Sequence, residues 1–469
     1  MGTTILSAQS LYTTFLDQPP SCLEFCPAAP DYLVIGTYLL SESSPENSTG
    51  TQQSKTGTIQ LFKLDSESFQ LTQIHKISLP HAVFDLHFSP RDPTLFAVAT
   101  NAASVCLYRL EASHANGRSS SLSSFTSITL LTSIPVHDDT SISALYFSWL
   151  PPPTLTTGSR GSLDHDYHNG QLSTDGFAVS FSDGRVSVFH TNSPSHEISK
   201  ESMTEIALPG EPVEVWFTTF HYGNSLSGGK QLMLLSGDDF GGLRVHQFAG
   251  DGEGEGEGEG NVEGKEHGGE QGGVVWTDGQ FPVQTVEARV GSRHHGAGIT
   301  AILPLFTEGG ETVLLTGSYD EYLRVYKLTG RGSVLASVLA EERLGGGVWR
   351  LKVVTKLEEE PLGMEAFSNM RRERSYLVLA SCMHAGVRIV KVTCSTVAQE
   401  GDGLGMGRWD IKVLAQFTEH ESMNYASDVW RGSDMGGGDN QTEEERVCSL
   451  LCVSSSFYDK KICVWKAKV

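Results

Sequence analysis

Seven short apolar runs, each following a turn rich in Gly, Ser and Asp, recur along the chain at residues 59–64, 105–110, 186–190, 243–248, 323–327, 387–392 and 462–466. Each run closes a unit of strand, turn and strand. A unit of that size cannot bury its apolar faces alone and must stack on its neighbours. The recurrence therefore predicts an all-β fold, a seven-bladed β-propeller in which each run is the third strand of a blade. Seven four-stranded blades take roughly 280–320 residues at about 40–45 per blade. A chain of 469 residues must then carry insertions as well.

The insertions stand out by composition. Residues 41–56, 114–127, 151–175, 251–273, 356–374 and 431–445 are rich in Ser, Gly, Pro or charge and lack periodicity, so they read as largely disordered surface loops on one domain spanning 1–469. The chain stops at the third strand of its seventh blade. The missing fourth strand is expected from residues 7–15, ahead of blade one, closing the ring and leaving only short, protected sheet edges.

Several function classes are excluded by composition. No apolar stretch reaches about 18 residues, so no membrane span is expected. The N-terminus lacks a basic region followed by an apolar one, so no signal peptide is read. Eight cysteines at no zinc-like spacing suit reduced thiols, which points to a cytosolic or nuclear compartment, with the cytoplasm as the expectation and no metal ligands assigned. The net charge is −22, of which −7 lies between Asp251 and Glu270, where eight acidic residues face Lys265 alone. The remaining −15 argues against nucleic acid and favours basic protein surfaces and cationic ligands.

The turns between second and third strands place an Asp at the bend: Asp183, Asp238, Asp320 and Asp459. The plain reading is structural, with each carboxylate accepting hydrogen bonds from its turn. Blade six departs, with His384 in Ser381-Cys382-Met383-His384-Ala385-Gly386. Imidazole cannot accept the same set of bonds as a carboxylate. His384 is thus either a tolerated surface residue or a functional one at the mouth of the central channel. Counted in register, the first strands open on Cys22, Asp85, Ser143, Glu214, Thr300, Trp349 and Ala426, with Trp216 and Tyr425 nearby. Among these Glu214 stands out, because an unpaired buried carboxylate is costly. His295 reads as a structural histidine ahead of blade five.

Taken together, several motifs resemble one family, the WD-repeat diphthine methyl ester hydrolases (diphthine methylesterases) of diphthamide biosynthesis. They are Leu23-Glu24-Phe25-Cys26-Pro27 with Gly36-Thr37-Tyr38, Ser236-Gly237-Asp238-Asp239, and Thr316-Gly317-Ser318-Tyr319-Asp320-Glu321. To these add Gly346-Gly347-Val348-Trp349-Arg350-Leu351-Lys352, Cys382-Met383-His384-Ala385-Gly386 and Ser456-Phe457-Tyr458-Asp459. The long insertions and Val353, where Trp is expected, depart from the pattern.

The resemblance implies a carboxylic ester hydrolase that demethylates methylated diphthine on elongation factor 2, acting as a monomer without a cofactor. That substrate carries a trimethylammonium group beside a methyl ester. Trp349, Trp216 and Tyr425 are the candidate rings to hold the cation, at roughly 0.5–2 kcal/mol each. No Gly-x-Ser-x-Gly elbow or His-Glu-x-x-His motif supplies a catalytic group. The expectation for catalysis is His384 as general base toward water or a nucleophile, oriented by Glu214 or Asp428, with backbone amides stabilising the oxyanion. Cys382 reads as a buried thiol. A scaffold without chemistry, serving complex assembly or trafficking, is the competing reading.

Overall fold

The structure is a computed structural model that describes residues 5–43, 52–112, 124–152, 175–191, 200–207, 212–224, 230–248, 283–290, 294–308, 310–329, 334–359, 371–397, 407–432 and 449–469. Its strands form seven sheets in chain order, the seven blades, each built on four antiparallel strands. Blade one runs Pro20–Phe25, Tyr32–Thr37, Gln52–Leu64 and Leu71–Leu79 from the axis outward. Blade two is Val83–Phe88, Leu95–Thr100, Ser104–Ala112 and Phe125–Pro135, and blade three is Ala144–Trp149, Asp175–Phe181, Arg185–Thr191 and Met203–Ala207. Blade four comprises Val215–Asn224, Lys230–Asp238, Leu243–Phe248 and Val283–Glu287. Ile299–Glu308, Glu311–Ser318, Tyr322–Thr329 and Leu335–Arg343 make blade five. Arg350–Glu359, Arg371–Ser381, Val387–Val397 and Arg408–Phe417 make blade six.

Blade seven takes Ser427–Val429, Ser449–Ser456 and Lys461–Lys468 from the C-terminus, and its outer strand, Ser10–Phe15, from the N-terminus. Thr13 pairs with Cys463 and Thr14 with Ile462 in that antiparallel ladder. The expected ring closure is therefore present, with one refinement. Ser7 sits in Leu6–Ala8, which pairs in parallel with the outer strand of blade six, Ser7 opposite Gln416. The N-terminal segment staples two blades rather than one.

The core is divided among the seven blade interfaces. Tyr32 and Val34 pack toward Val83, Leu86 and Phe96 of blade two, whereas Leu33 and Ile35, alternating with them, pack toward Val453, Ile462 and Val464 of blade seven. A middle strand with a neighbour on either side buries both faces, so Tyr32–Thr37 and Leu95–Thr100 are buried throughout and read as continuous apolar runs. The outer strand Leu71–Leu79, which borders solvent, alternates.

The described parts of the insertions flank their strands: Leu39–Ser43 forms a hairpin with the start of Gln52–Leu64, and blade six extends its first two strands to Glu359 and from Arg371. The interiors of the six expected insertions lie outside the described residues. No helix among the described residues is long and apolar enough to cross a membrane.

Candidate functional site

The turn carboxylates behave as the sequence predicts. Asp238 accepts from the amides of Phe240 and Gly242 at 3.0 and 2.7 Å and pairs with Arg244. Asp320 accepts from Tyr322 N at 3.1 Å and Gly296 N at 3.0 Å, pairs with Arg324 at 2.7 Å, and meets buried His295 at 3.0 Å. In blade six the partner arginine survives without its carboxylate. Arg388 Nη1 donates instead to the Ala385 carbonyl at 2.7 Å, and backbone bonds from Cys382 N to Gly386 O and from Ala385 N to Cys382 O close the turn. His384 is released from structural duty by this arrangement. It is exposed, and among the described residues its imidazole has no hydrogen-bond partner.

The same end of the channel carries an arc of aromatic rings. Trp216 of blade four meets Trp349 of blade six at 5.7 Å between centroids, and Tyr319 of the blade-five turn touches both at 5.8 and 5.9 Å. Trp349 continues to Tyr425 at 5.1 Å, and Tyr425 to Phe457 at 5.4 Å. Phe457 reaches Tyr38 at 6.3 Å, and Tyr38 reaches Phe84 at 5.3 Å. Six of the seven blades contribute.

Local backbone requirements place these rings. Asn424 N donates to Met383 O at 3.0 Å, tying the segment before Tyr425 to the turn that holds His384. Gly346 and Gly347 let that turn approach, since a Cβ on Gly346 would stand 2.3 Å from Cys382 O and one on Gly347 2.7 Å from Met383 Sδ.

Carboxylates border the rings. Trp216 Nε1 donates to Asp239 Oδ1 at 2.6 Å. Glu214 is half-buried, and its side chain makes no hydrogen bond or ion pair among the described residues. Burial, then the neighbouring Tyr425, Asp239 and Glu214, raise the Tyr319 phenol above its ordinary pKa against an opposing pull from Arg350. Phe240 and Tyr458 stand on the rim, 77% and 68% exposed.

Beneath the mouth, charges from four blades interlock across the channel. Asp428 accepts from Lys352 Nζ at 2.7 Å, Lys352 also reaches Glu24 at 3.2 Å, and His87 lies 3.4 Å from Glu24 and 3.0 Å from Asp85. Three of these carboxylates also join blades through backbone amides: Asp428 takes Phe25 N at 2.9 Å, Glu24 takes Phe88 N at 3.0 Å, and Asp85 takes Phe147 N at 3.1 Å. Burial works against both ions of the central pair. Lys352 and His87 nevertheless pull the Glu24 carboxyl down to about 2, and Asp85 and Glu24 hold the His87 imidazole up to about 10. The two carboxylates thus favour the imidazolium form of His87.

The structure brings Trp216, Trp349 and Tyr425 together, with Glu214 beside them. It does not bring Asp428 to His384. Both Asp428 oxygens are engaged, one by Lys352 and Phe25 N and the other by Val429 N at 2.7 Å, so the expected orienting role gives way to a structural one. Cys382 is buried as expected, and burial pushes its thiol up to about 12, which leaves no thiolate for nucleophilic attack. Among the described residues no group of three His, Cys, Asp or Glu side chains is placed to hold a metal.

Tyr319, Phe457, Tyr38 and Phe84 were not singled out from the sequence as site residues. A β-bulge opens the first strands, with register shifts between Val83 and Asp85 and between Val215 and Phe217. Phe84 sits at such a bulge, so counting by twos from the interior of its strand reaches Asp85 and passes over Phe84. The aromatic residue of each turn motif was the available signal.

No protein-family model matches the chain. It is 23% identical over 454 residues to the diphthine methyltransferase of Schizosaccharomyces pombe, covering 97% of this chain and 96% of that one. To the Saccharomyces cerevisiae diphthine methyltransferase it is 23% identical over 465 residues, 95% of each. A human diphthine methyltransferase matches over 137 residues at 28% identity, 29% of this chain and 23% of that one. A solved structure, Saccharomyces cerevisiae Sqt1, covers 98% of this chain and 100% of its own at 10% identity with a TM-score of 0.48; the propeller assignment rests on the seven sheets themselves. In two of these proteins the similarity runs the length of both chains, and it is to the diphthine methyltransferases that this propeller is similar in sequence.

Proposed function

We propose that the protein is a carboxylic ester hydrolase that removes the methyl group from methylated diphthine on elongation factor 2, yielding diphthine and methanol for the last amidation of diphthamide biosynthesis. The observation that carries this reading is the mouth itself. Trp216, Tyr319, Trp349 and Tyr425 join ring to ring in one aromatic patch, and Asp239 and Glu214 border it. Aromatic faces with nearby carboxylates are the chemistry that recognises a quaternary ammonium. The relatives bear diphthine in their name, and diphthine carries that group beside its carboxyl.

A transferase and an esterase acting on diphthine share the quaternary ammonium and the carboxyl group. They differ in the second reactant, a methyl donor for one and water for the other. The motifs that resemble the methyl ester hydrolases favour water.

In the proposed reaction the trimethylammonium sits among the rings with Glu214 and Asp239 balancing its charge. The ester carbonyl then faces water on the His384 side of the mouth, since Tyr425 and the His384 turn are joined by the Asn424 to Met383 bond. His384 acts as general base without a carboxylate partner. The acidic body suits a basic surface on the elongation factor, and the exposed Phe240 and Tyr458 offer apolar contacts at the rim. The protein is proposed to work in the cytoplasm as a monomer.

The test is incubation of the purified protein, with no methyl donor, with elongation factor carrying methylated diphthine, followed by mass analysis of the modified peptide. Loss of one methylene unit with release of methanol is expected. An unchanged mass, or a methyl gained when a donor is added, overturns the reading.

A further inference from the structure

Arg350 closes the mouth from below. It opens the inner strand of blade six, yet its side chain reaches four other blades. The guanidinium carbon lies 4.6 Å from the centroid of Trp349, 4.7 Å from that of Tyr146 on blade three and 5.8 Å from that of Phe217 on blade four. Nη2 is 3.9 Å from Asp85 on blade two. Three rings around the guanidinium favour its charge through their π faces.

The donors of that group are unequally used. Nη1 donates to the Thr300 and Trp349 carbonyls, both at 3.0 Å. Nε and Nη2 meet no hydrogen-bond acceptor among the described residues, and Asp85 cannot close on them while its Oδ2 is held by Phe147 N and His87. The unused edge is the Nε–Nη2 fork, the pair of parallel N–H groups that matches a carboxylate. The Arg350 side chain keeps 16% of its surface exposed.

We propose that Arg350 is the carboxyl-binding floor of the mouth, so that the site takes betaine-type groups: a quaternary ammonium with a carboxyl function beside it. This rests on the proposed function and names the residue that meets the other end of the same head group. A cationic floor beneath an aromatic cage disfavours a bare tetraalkylammonium through like-charge repulsion. A zwitterion places its cation among the rings and its anion on the fork.

For the ester, the carbonyl oxygen accepts from the fork. The oxygen of water bonds to the carbonyl carbon while the bond to the methoxy oxygen breaks. One water proton leaves with that oxygen as methanol, the other passes to solvent, and the carboxylate stays on Arg350. Negative charge develops on the oxygen that the fork already holds.

The test uses the full-length protein with glycine betaine and tetramethylammonium as probes, read by quenching of tryptophan fluorescence. The wild type is expected to bind betaine at least about tenfold more tightly than tetramethylammonium, as a charge-assisted hydrogen bond commands. R350M should bring the two affinities within about twofold, R350K should keep part of the difference, and W349A should weaken both probes together. Equal binding of the probes by the wild type, or equal weakening of both by R350M, overturns the proposal. Should R350M fail to fold by its melting curve, the wild-type comparison and R350K decide. None of these readouts needs turnover. A betaine-selective protein that leaves the ester intact overturns the hydrolase reading and keeps this one, whereas an active protein without betaine preference does the reverse.

Discussion

Trp216 and Trp349 touch at 5.7 Å, with their rings inclined by 61°, although one belongs to blade four and the other to blade six. The blade between them presents Thr300, whose hydroxyl donates to the Val348 carbonyl at 2.5 Å. Tyr319, from the turn of the same blade, meets both tryptophans. A cation bound there sees several ring faces at once.

Loss of one ring should therefore show in substrate affinity first. W349A is expected to raise KM for the methylated elongation factor by about 2- to 30-fold, the equivalent of about 0.5–2 kcal/mol of cation–π attraction, with W349F intermediate. Steady-state kinetics on the modified protein substrate checks this, and a purely kcat effect would contradict it.

His384 and Asp428 should separate cleanly under mutation. H384A is expected to lower kcat by about 10²- to 10⁴-fold, the usual contribution of a general base, with the melting temperature unchanged because the side chain is exposed and unbonded. D428A is expected to destabilise the fold by about 1–3 kcal/mol, because it strands the buried amides of Phe25 and Val429. Paired activity and thermal-melt measurements distinguish the two, and a catalytic loss in D428A at full stability would return it to the site.

The channel ion chain sets a pH dependence of stability. The His87 pKa is raised from 6.5 to about 10 in the folded state, so its contribution is fully present below pH 6.5 and is lost as pH rises through about 10. The Glu24 pKa is lowered from 4.5 to about 2, so its contribution is present above pH 4.5 and is lost as pH falls toward 2. Melting temperatures across this range should fall on both sides. H87Q should flatten the alkaline limb, and an unchanged alkaline slope in that variant would show the imidazolium to be idle.

Deleting residues 1–15 removes the outer strand of blade seven and bares the Lys461–Lys468 edge. Aggregation or a large fall in melting temperature is expected, since an exposed strand edge is a template for pairing. A soluble truncated protein with the parent's melting curve would show the closure to be dispensable.

Much of this architecture could be read along the chain. The seven third strands, the supply of the last strand by the N-terminus and the structural carboxylates of Asp238 and Asp320 each follow from local pattern and turn chemistry. Blade six was legible too, because His384 breaks a repeated rule. The mouth was only half legible: Trp216, Trp349 and Tyr425 were identified, whereas Tyr319 and Phe84 were hidden by a turn read only for its Asp and by bulges that slip the register.

What the sequence by itself determined is the number of blades, their order and the way the ring closes, because each depends on a repeat that stacks only on its neighbours. What the tertiary structure alone decided is which side chains meet at the axis. Asp428 was available to His384 on paper, and the ring instead turns it toward Lys352 and Phe25; Arg350, one more basic residue in a strand, becomes the floor of the mouth. The physical reason is closure: residues of non-adjacent blades have no spacing along the chain that relates them, and come within contact only when the circle is complete.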